Sequence, residues 1–332
     1  MPSLLPDLDK EHWKYSNINA ALGKLNVEPQ APLWEMSGAY SFLKVDALPR
    51  TADVHLVIPR GRTVALPIEL MLAGKDHSEI KSLIRIDVED GASATIIERQ
   101  GGSGAYWKNI SADIRVGKNA RLQYFRLCED DPFSVTSMFA TVELERDAHF
   151  QALIINGCSG FGRHEFTVNM NGENSEADLS GLSLLRGKQH ADTTVCVNHM
   201  VPHCRSSQFF KTILDGQSRG VYQGKIHVHK DAQKTDGYQL SRNLLLSRQA
   251  EMDVKPELEI YADDVKCSHG VTVGQLEEKS LFYLQSRGIY EEAARHVLTF
   301  AFANEMVDKV ENSSLKALLL KQLLVRFPGI EF

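Results

Sequence analysis

Short polar turns recur along the sequence at intervals close to multiples of 14 or 15 residues. Each turn follows an apolar residue and precedes a stretch in which apolar and polar residues alternate, which is the period of a half-buried strand. One interval accommodates one strand and one turn, so two intervals make one coil with two facing sheets, and each coil is covered only by the next. The clearest turns begin at Val88, Val116, Leu144, Met170, Leu214, Val228, Leu246 and Tyr261.

This repeat predicts a mainly β protein whose core is a β-helix, that is, a β-solenoid. A β-sandwich would also give evenly spaced strands separated by turns. We favour the solenoid because so many turns share one phase.

The pattern changes after about Leu276, where three stretches have the acidic starts, serine caps and stop residues of helices. The sequence therefore predicts a short N-terminal segment at 1–45, a β-helix core at 46–272 and a C-terminal helical domain at 273–332. Apolar residues of the second helix form two stripes, of which one can pack on the solenoid. We expect these helices to form a cap over the edge of the last coil. The alternative is a docking surface for a partner.

Composition and charge exclude several classes of function. The net charge of −6, with no basic stripe, argues against a nucleic-acid-binding protein. No apolar run reaches the roughly 20 residues that a membrane span needs, and the N-terminus does not resemble a secretory signal. An odd number of cysteines predicts free thiols in the cytoplasm. These cysteines are Cys128, Cys158, Cys196, Cys204 and Cys267.

Cys267 and His269 stand two residues apart in "KCSHG", at the end of the predicted strands. On a strand these two side chains share one face. A thiolate and an imidazole are suitable ligands for zinc or iron, but two ligands do not complete a site. The remaining ligands would have to come from a neighbouring coil or a second chain. Spacing alone leaves open that both residues only pack.

Other histidines are weaker candidates for metal binding. His227 and His229 repeat the same spacing in "KIHVHKD". The stretch "NHMVPHC" adds His199, His203 and Cys204, but Pro202 excludes a metal-binding helix there. Most of these residues are expected to be structural or to lie on the surface.

The sequence lacks the common enzyme motifs. It has no dinucleotide-binding loop, no complete P-loop and no G-x-S-x-G elbow, so no nucleotide site is predicted in this chain. The adjacent acids Asp263 and Asp264 would suit a β-helical enzyme that acts on carbohydrate, which stays an alternative.

The stretch "KPELEIYADDVKCSHGVTVGQLEEKSLFYLQSRGI" resembles the SufB/SufD family, whose members serve as scaffolds in SUF iron–sulfur cluster assembly. The similarity extends from Phe209 to Val310. It implies a right-handed β-helix with a C-terminal helical domain. SufB-type members carry an acidic residue beside the histidine, where this chain has Gly270, so the resemblance favours a SufD-like member.

The resemblance also implies a role for each candidate residue. Cys267 and His269 match the cysteine and histidine that meet a SufB-like paralogue, where they would help to hold a transient iron–sulfur cluster or iron at the subunit interface. The helices around residues 283–307 would dock a SufC-like ABC ATPase, and the chain itself would not be an enzyme. A SufB-like subunit that holds the main cluster and a purely architectural homodimer remain alternatives.

Overall fold

The computed structural model describes residues 13–37, 44–45, 53–157, 159–310 and 312–326. Residues 1–12 and 38–43 of the predicted N-terminal segment lie outside the described residues, as does Cys158. The predicted domain boundaries at residues 45/46 and 272/273 stay predictions.

Two long sheets run along the described chain, and consecutive strands from Val54 onward alternate between them. Sheet A contains β1 (Glu28–Gln30), β3 (Lys44–Val45), β4 (Val54–Ile58), β6 (Ser78–Val88), β8 (Trp107–Val116), β10 (Val135–Leu144), β12 (Phe161–Met170), β14 (His190–His199), β16 (Arg219–Val228) and β18 (Glu251–Ile260). Sheet B contains β2 (Trp34–Ser37), β5 (Ile68–Gly74), β7 (Ser93–Gly102), β9 (Arg121–Glu129), β11 (His149–Asn156), β13 (Glu176–Leu185), β15 (Arg205–Leu214), β17 (Asp236–Leu245) and β19 (Lys266–Gly274).

From β4 to β17, each strand pairs in parallel with the strand two places later in the chain, so that the last pairs are β16 with β18 and β17 with β19. His149, for example, lies opposite Arg121 of the preceding coil and Glu176 of the following coil. The chain therefore winds into a β-solenoid of about eight turns, and the predicted fold class is confirmed. The strands that pair antiparallel are β2 with β5 and β3 with β4, at the start of the solenoid.

Turn chemistry sets the length of each coil. Gly91 and Asn119 adopt positive φ angles of 66° and 55° in equivalent turns one coil apart, a conformation that glycine and asparagine accept most readily. The turns stack as the strands do, since the Gly91 N–H donates to the carbonyl of Lys118 at 2.8 Å. The turns predicted after Val88 and Val116 are thereby confirmed.

The solenoid interior is filled by columns of aliphatic side chains, one from each coil. Burying such a side chain stabilises the fold by about 1.5–3 kcal/mol. One column in sheet A, fully buried and in register, consists of Ile86, Ile114, Val142, Val168, Val197 and Ile226.

The C-terminal helices are α2 (Glu278–Ser286), α3 (Glu291–Asp308) and α4 (Ser313–Arg326). Helices α3 and α4 pack on the outer face of sheet B, where Phe300 and Met306 belong to the same buried apolar cluster as Phe125 and Leu153. The prediction that the helices cap the last coil is wrong. Sheet B has an apolar outer face, and the apolar faces of the helices pack there instead of on the edge of the last coil. In the described parts of the chain, no helix combines the length and the apolar character needed to cross a membrane.

A short helix, α1 (Ile18–Leu22), and the residues before it pack on the outer face of sheet A. Trp13 and Ile18 contact Trp107 and Phe161 there. The Ser16 hydroxyl lies 2.9 Å from Nε2 of His190 and also donates to Asp192. These contacts fix the chain against the flank of the solenoid.

Candidate functional site

The last coil of the solenoid presents two sheet edges. Strand β18 pairs with β16 and strand β19 pairs with β17, and no further strand of the described chain continues either sheet. Val271 and Val273 of β19 occupy positions whose counterparts in earlier coils are buried inside the solenoid. In the last coil no described strand covers them, and they are 38% and 45% exposed. Pro256 suits this position because it lacks the N–H that an inner strand would donate. We call this surface the open end.

Cys267 lies on β19 at the open end and is half-buried. Its side chain packs against a small apolar cluster that includes Ile226, Val228 and Ala262. Burial raises the pKa of the Cys267 thiol above its usual value, and the nearby backbone N–H of Gly237 offsets part of this increase. The nearby Asp236 carboxylate adds to the increase. The thiol is therefore mostly protonated at neutral pH.

His269 is exposed and lies on the same strand face as Cys267, as the alternation predicts. In the register of sheet B it stands opposite Gln239, while Cys267 stands opposite Gly237. Both therefore project toward the uncovered interior of the last coil, with Lys266 and Ser268 on the other face.

Cys267 and His269 offer two side chains that could act as ligands. Within the described residues, no group of three or more histidine, cysteine, aspartate or glutamate side chains is arranged to hold a metal ion. A tetrahedral zinc or an iron–sulfur cluster needs four ligands in total. The open end therefore has the chemistry of half a site, which a second chain could complete.

His227 and His229 form a separate pair on the outside of the solenoid. Their ring centroids are 4.4 Å apart, and Tyr261 packs edge-on against His227 at 5.6 Å. Burial and the neighbouring His229 lower the pKa of His227. The Glu259 carboxylate, opposite His227 in the register, is already paired with Lys225 at 2.7 Å. This arrangement favours stacking over metal binding.

The residues of "NHMVPHC" are not brought together as ligands. His199 is buried and lies 2.8 Å from the Ser206 hydroxyl, and burial lowers its pKa to about 4. Cys204 is buried against Ser175, whereas His203 occupies a turn with a φ of 63°. These residues hold the coil together, as expected.

Sequence reasoning missed a cluster of charged residues inside the solenoid. Lys108 pairs with Asp130 at 2.5 Å, and Arg126 pairs with Glu98 at 3.2 Å, with all four side chains buried. The adjacent Cys128 is also buried, which raises its pKa to about 12. The signal was available: Glu98, Lys108 and Arg126 stand at positions of their strands whose alternation points them inward. Because the charges pair within the cluster, it can exist in the core without a ligand.

Comparison with known proteins places this geometry in context. Residues 72–302 match the family described as "SUF system FeS cluster assembly, SufBD core domain". The chain is 34% identical over 284 residues to the iron–sulfur cluster assembly protein SufD of Escherichia coli, with 83% of this chain and 67% of that protein covered.

Two further relatives are similar over most of the chain. A SufBD family protein of Synechocystis is 34% identical over 293 residues, covering 84% of this chain and 64% of that protein. The chloroplastic protein ABCI7 of Arabidopsis thaliana is 31% identical over 275 residues, covering 79% and 58%. The chain thus spans between 58% and 67% of the length of these three relatives.

Proposed function

Since the chain belongs to the SufBD core family of the SUF system, we propose that it is a SufD-like scaffold for iron–sulfur cluster assembly. In this role it pairs through its open end with a SufB-like paralogue or with a second copy of itself. Cys267 and His269 then help to hold iron or a nascent cluster, which is the cargo of the complex. The four described cysteines are free thiols, which supports a reducing compartment such as the cytoplasm.

One observation carries this proposal: a thiol and an imidazole share one face of an uncovered edge strand, with no third ligand from the described chain. A partner that continued the solenoid would pair with β18 and β19 by strand addition. The same contact would bring its side chains over the inward face of the last coil, where the missing ligands are needed.

The helices support a second contact. Phe282 and Tyr283 follow one another on α2 and are 72% and 57% exposed, and Tyr290, directly before α3, is 86% exposed. Large exposed aromatic side chains are typical of protein interfaces. We propose that this surface binds a SufC-like ABC ATPase, which would supply the ATP hydrolysis.

The alternatives predict different behaviour. A SufB-like subunit that holds the main cluster needs a fuller ligand set within its own chain, which the described residues do not present. An architectural homodimer would be indifferent to Cys267 and His269. A carbohydrate-active β-helix would need no ATPase, and two of the relatives named above carry iron–sulfur cluster assembly in their names.

The test begins with tagged protein isolated anaerobically and examined by native mass spectrometry. Full-length bait should bring down an ABC-type ATPase and a SufB-like chain, whereas full-length bait that carries Phe282→Ala and Tyr290→Ala should lose the ATPase. In the assembled complex, Cys267→Ala and His269→Ala should lower cluster yield, while Cys196→Ala, on the outer face of sheet A, should not. Folded bait that returns alone, or full yield from both variants, would contradict the proposal.

A further inference from the structure

Gln239 is a buried side chain whose carboxamide has no hydrogen-bond partner among the described residues. It is 3% exposed, and both Nε2 and Oε1 are unpaired. Buried amides in native structures are nearly always paired, because an unpaired donor or acceptor has lost its water without replacement. An amide unpaired at both atoms therefore points to a partner that arrives later.

The partner can be identified from the register of sheet B. Gln239 of β17 stands directly opposite His269 of β19, and alternation places both on the inward face. Adjacent strands are about 4.8 Å apart, a distance that a glutamine side chain spans. No residue of the described chain lies between them in this column of the sheet, because β19 is the next strand after β17.

The neighbouring coil provides an internal comparison. Gln208 precedes Gln239 in the same column of sheet B. Its carboxamide accepts from the Tyr222 hydroxyl at 2.9 Å and donates to the Lys225 carbonyl at 3.1 Å. Gln208 is therefore satisfied within the fold, whereas Gln239, one coil nearer the open end, is not.

We propose that Gln239 is a positioning residue for His269: its Oε1 accepts the ring N–H of His269 when a metal binds the other ring nitrogen. Histidine ligands usually donate their second ring nitrogen to a carbonyl or carboxylate, which fixes the tautomer and the ring orientation. This inference rests on the proposed role of Cys267 and His269 as ligands. It adds a residue that contacts neither metal nor partner.

The test uses Co²⁺ as the probe, titrated anaerobically into the chain assembled with its partner at the open end and followed by the thiolate-to-cobalt absorption band. Gln239→Leu should weaken Co²⁺ binding by about 10- to 100-fold. Gln239→Met has a side chain of similar length that also cannot accept the N–H, so it should weaken Co²⁺ binding as Gln239→Leu does. It replaces the leucine variant if that variant does not fold. Gln239→Glu retains an acceptor and should stay within about threefold of the wild type.

Ser241→Ala is the matched control, since Ser241 is buried on the same face of β17 and bonds only to Asn243 among the described residues. A second readout comes from the ring ¹⁵N resonances of His269 in histidine-labelled protein with Co²⁺ replaced by Zn²⁺. Gln239→Leu should shift them and Gln239→Glu should restore them, whereas Ser241→Ala should leave them unchanged.

The outcomes separate two failures. If complexes that contain Cys267→Ala or His269→Ala bind Co²⁺ as the wild-type complex does, or if the wild-type complex gives no thiolate band, the ligand assignment itself is wrong. If those variants lose binding while both Gln239→Leu and Gln239→Met retain it, the ligands stand and the role of Gln239 is overturned.

Discussion

Gly237 lies opposite Cys267 in the last two strands of sheet B, and a Cβ added to Gly237 would stand 3.4 Å from the Cys267 Sγ. The same Cβ would stand 3.3 Å from Cδ1 of Ile226. A Cβ at position 237 would therefore already be in van der Waals contact with the thiol, and a side chain that extends beyond Cβ has little room there. A residue outside the motif of Cys267 thus limits the space around the candidate ligand.

Gly237→Val should therefore displace the thiol. We expect a loss of about 1–3 kcal/mol in the free energy of unfolding from overpacking, together with a lower cluster yield in the complex. Gly274→Val is the control, because a Cβ at Gly274 of β19 meets nothing within 4 Å, and its effect should stay within about 0.5 kcal/mol. Urea denaturation and cluster reconstitution measure the two effects; equal behaviour of both variants would refute this account of the thiol.

The sequence predicted the solenoid because its turns are chemically marked. Residues such as Gly91 and Asn119 accept positive φ angles, and their regular spacing carries the coil length. The shared face of Cys267 and His269 followed from strand alternation alone. Alternation could not predict that Gln239 lies opposite His269, because this depends on which strands become neighbours in the folded sheet.

The position of the helices could have been anticipated in part. The run "ALII" at residues 152–155 is apolar at successive positions, and strands covered on both faces read this way. Such a run indicates that something packs on the outer face of sheet B. The apolar stripes of the helices alone could not predict this packing. They indicate that one face of a helix is buried, but not which part of the protein covers that face.

Lys211 joins helix α3 to sheet B and gives a test of that placement. Its buried ammonium donates to the Phe302 carbonyl at 2.7 Å and pairs with Glu305. Glu305→Ala leaves this charge without its main counter-charge and should cost about 1–3 kcal/mol. Lys211→Met in the same chain removes the buried charge and should recover part of the loss. Thermal melts of both single variants and the double variant provide the measurement, and strictly additive losses would contradict the coupling.

The exposed aromatic residues of the helices should matter for binding and not for folding. Phe282→Ala and Tyr290→Ala should leave the unfolding free energy within about 0.5 kcal/mol. Each should weaken binding of the ABC-type ATPase by about tenfold or more if it is an interface anchor. Phe133→Ala is the matched control, since Phe133 is equally exposed but follows β9 on the solenoid. Titration of the purified ATPase by interferometry measures all three, and no loss relative to the control would remove this surface from the contact.

Buried histidines should make the fold sensitive to acid. Burial lowers the pKa of His190 and of His199 to about 4, with Arg219 adding to the effect on His190. These rings stay neutral in the folded state while the unfolded chain binds protons below its ordinary histidine pKa of about 6.5. Their stabilising contribution is therefore complete above that value and is lost as the pH falls toward 4.

The expected loss between about pH 7.5 and pH 5 is roughly 1–2 kcal/mol per histidine. His199→Gln removes one of these groups, so its free energy of unfolding should fall less over the same interval than that of the wild type. Urea denaturation at both pH values measures the difference. An equal fall in the two proteins would show that His199 does not carry this dependence.

The open end itself can be tested by a charge. Val271 lies on the inward face of β19, where a partner that continued the solenoid would bury it. Val271→Glu should disrupt that contact, because a carboxylate buried without a counter-charge is unfavourable, yet it should cost the isolated chain little, since the site is exposed there. Thr272→Glu places the same charge on the opposite face of the same strand and should keep the complex. Native mass spectrometry of the purified assembly distinguishes the two variants. If Val271→Glu retains the paralogue or second copy, pairing uses another surface. Cys267 and His269 would then lack the ligands that a partner at the open end was expected to provide.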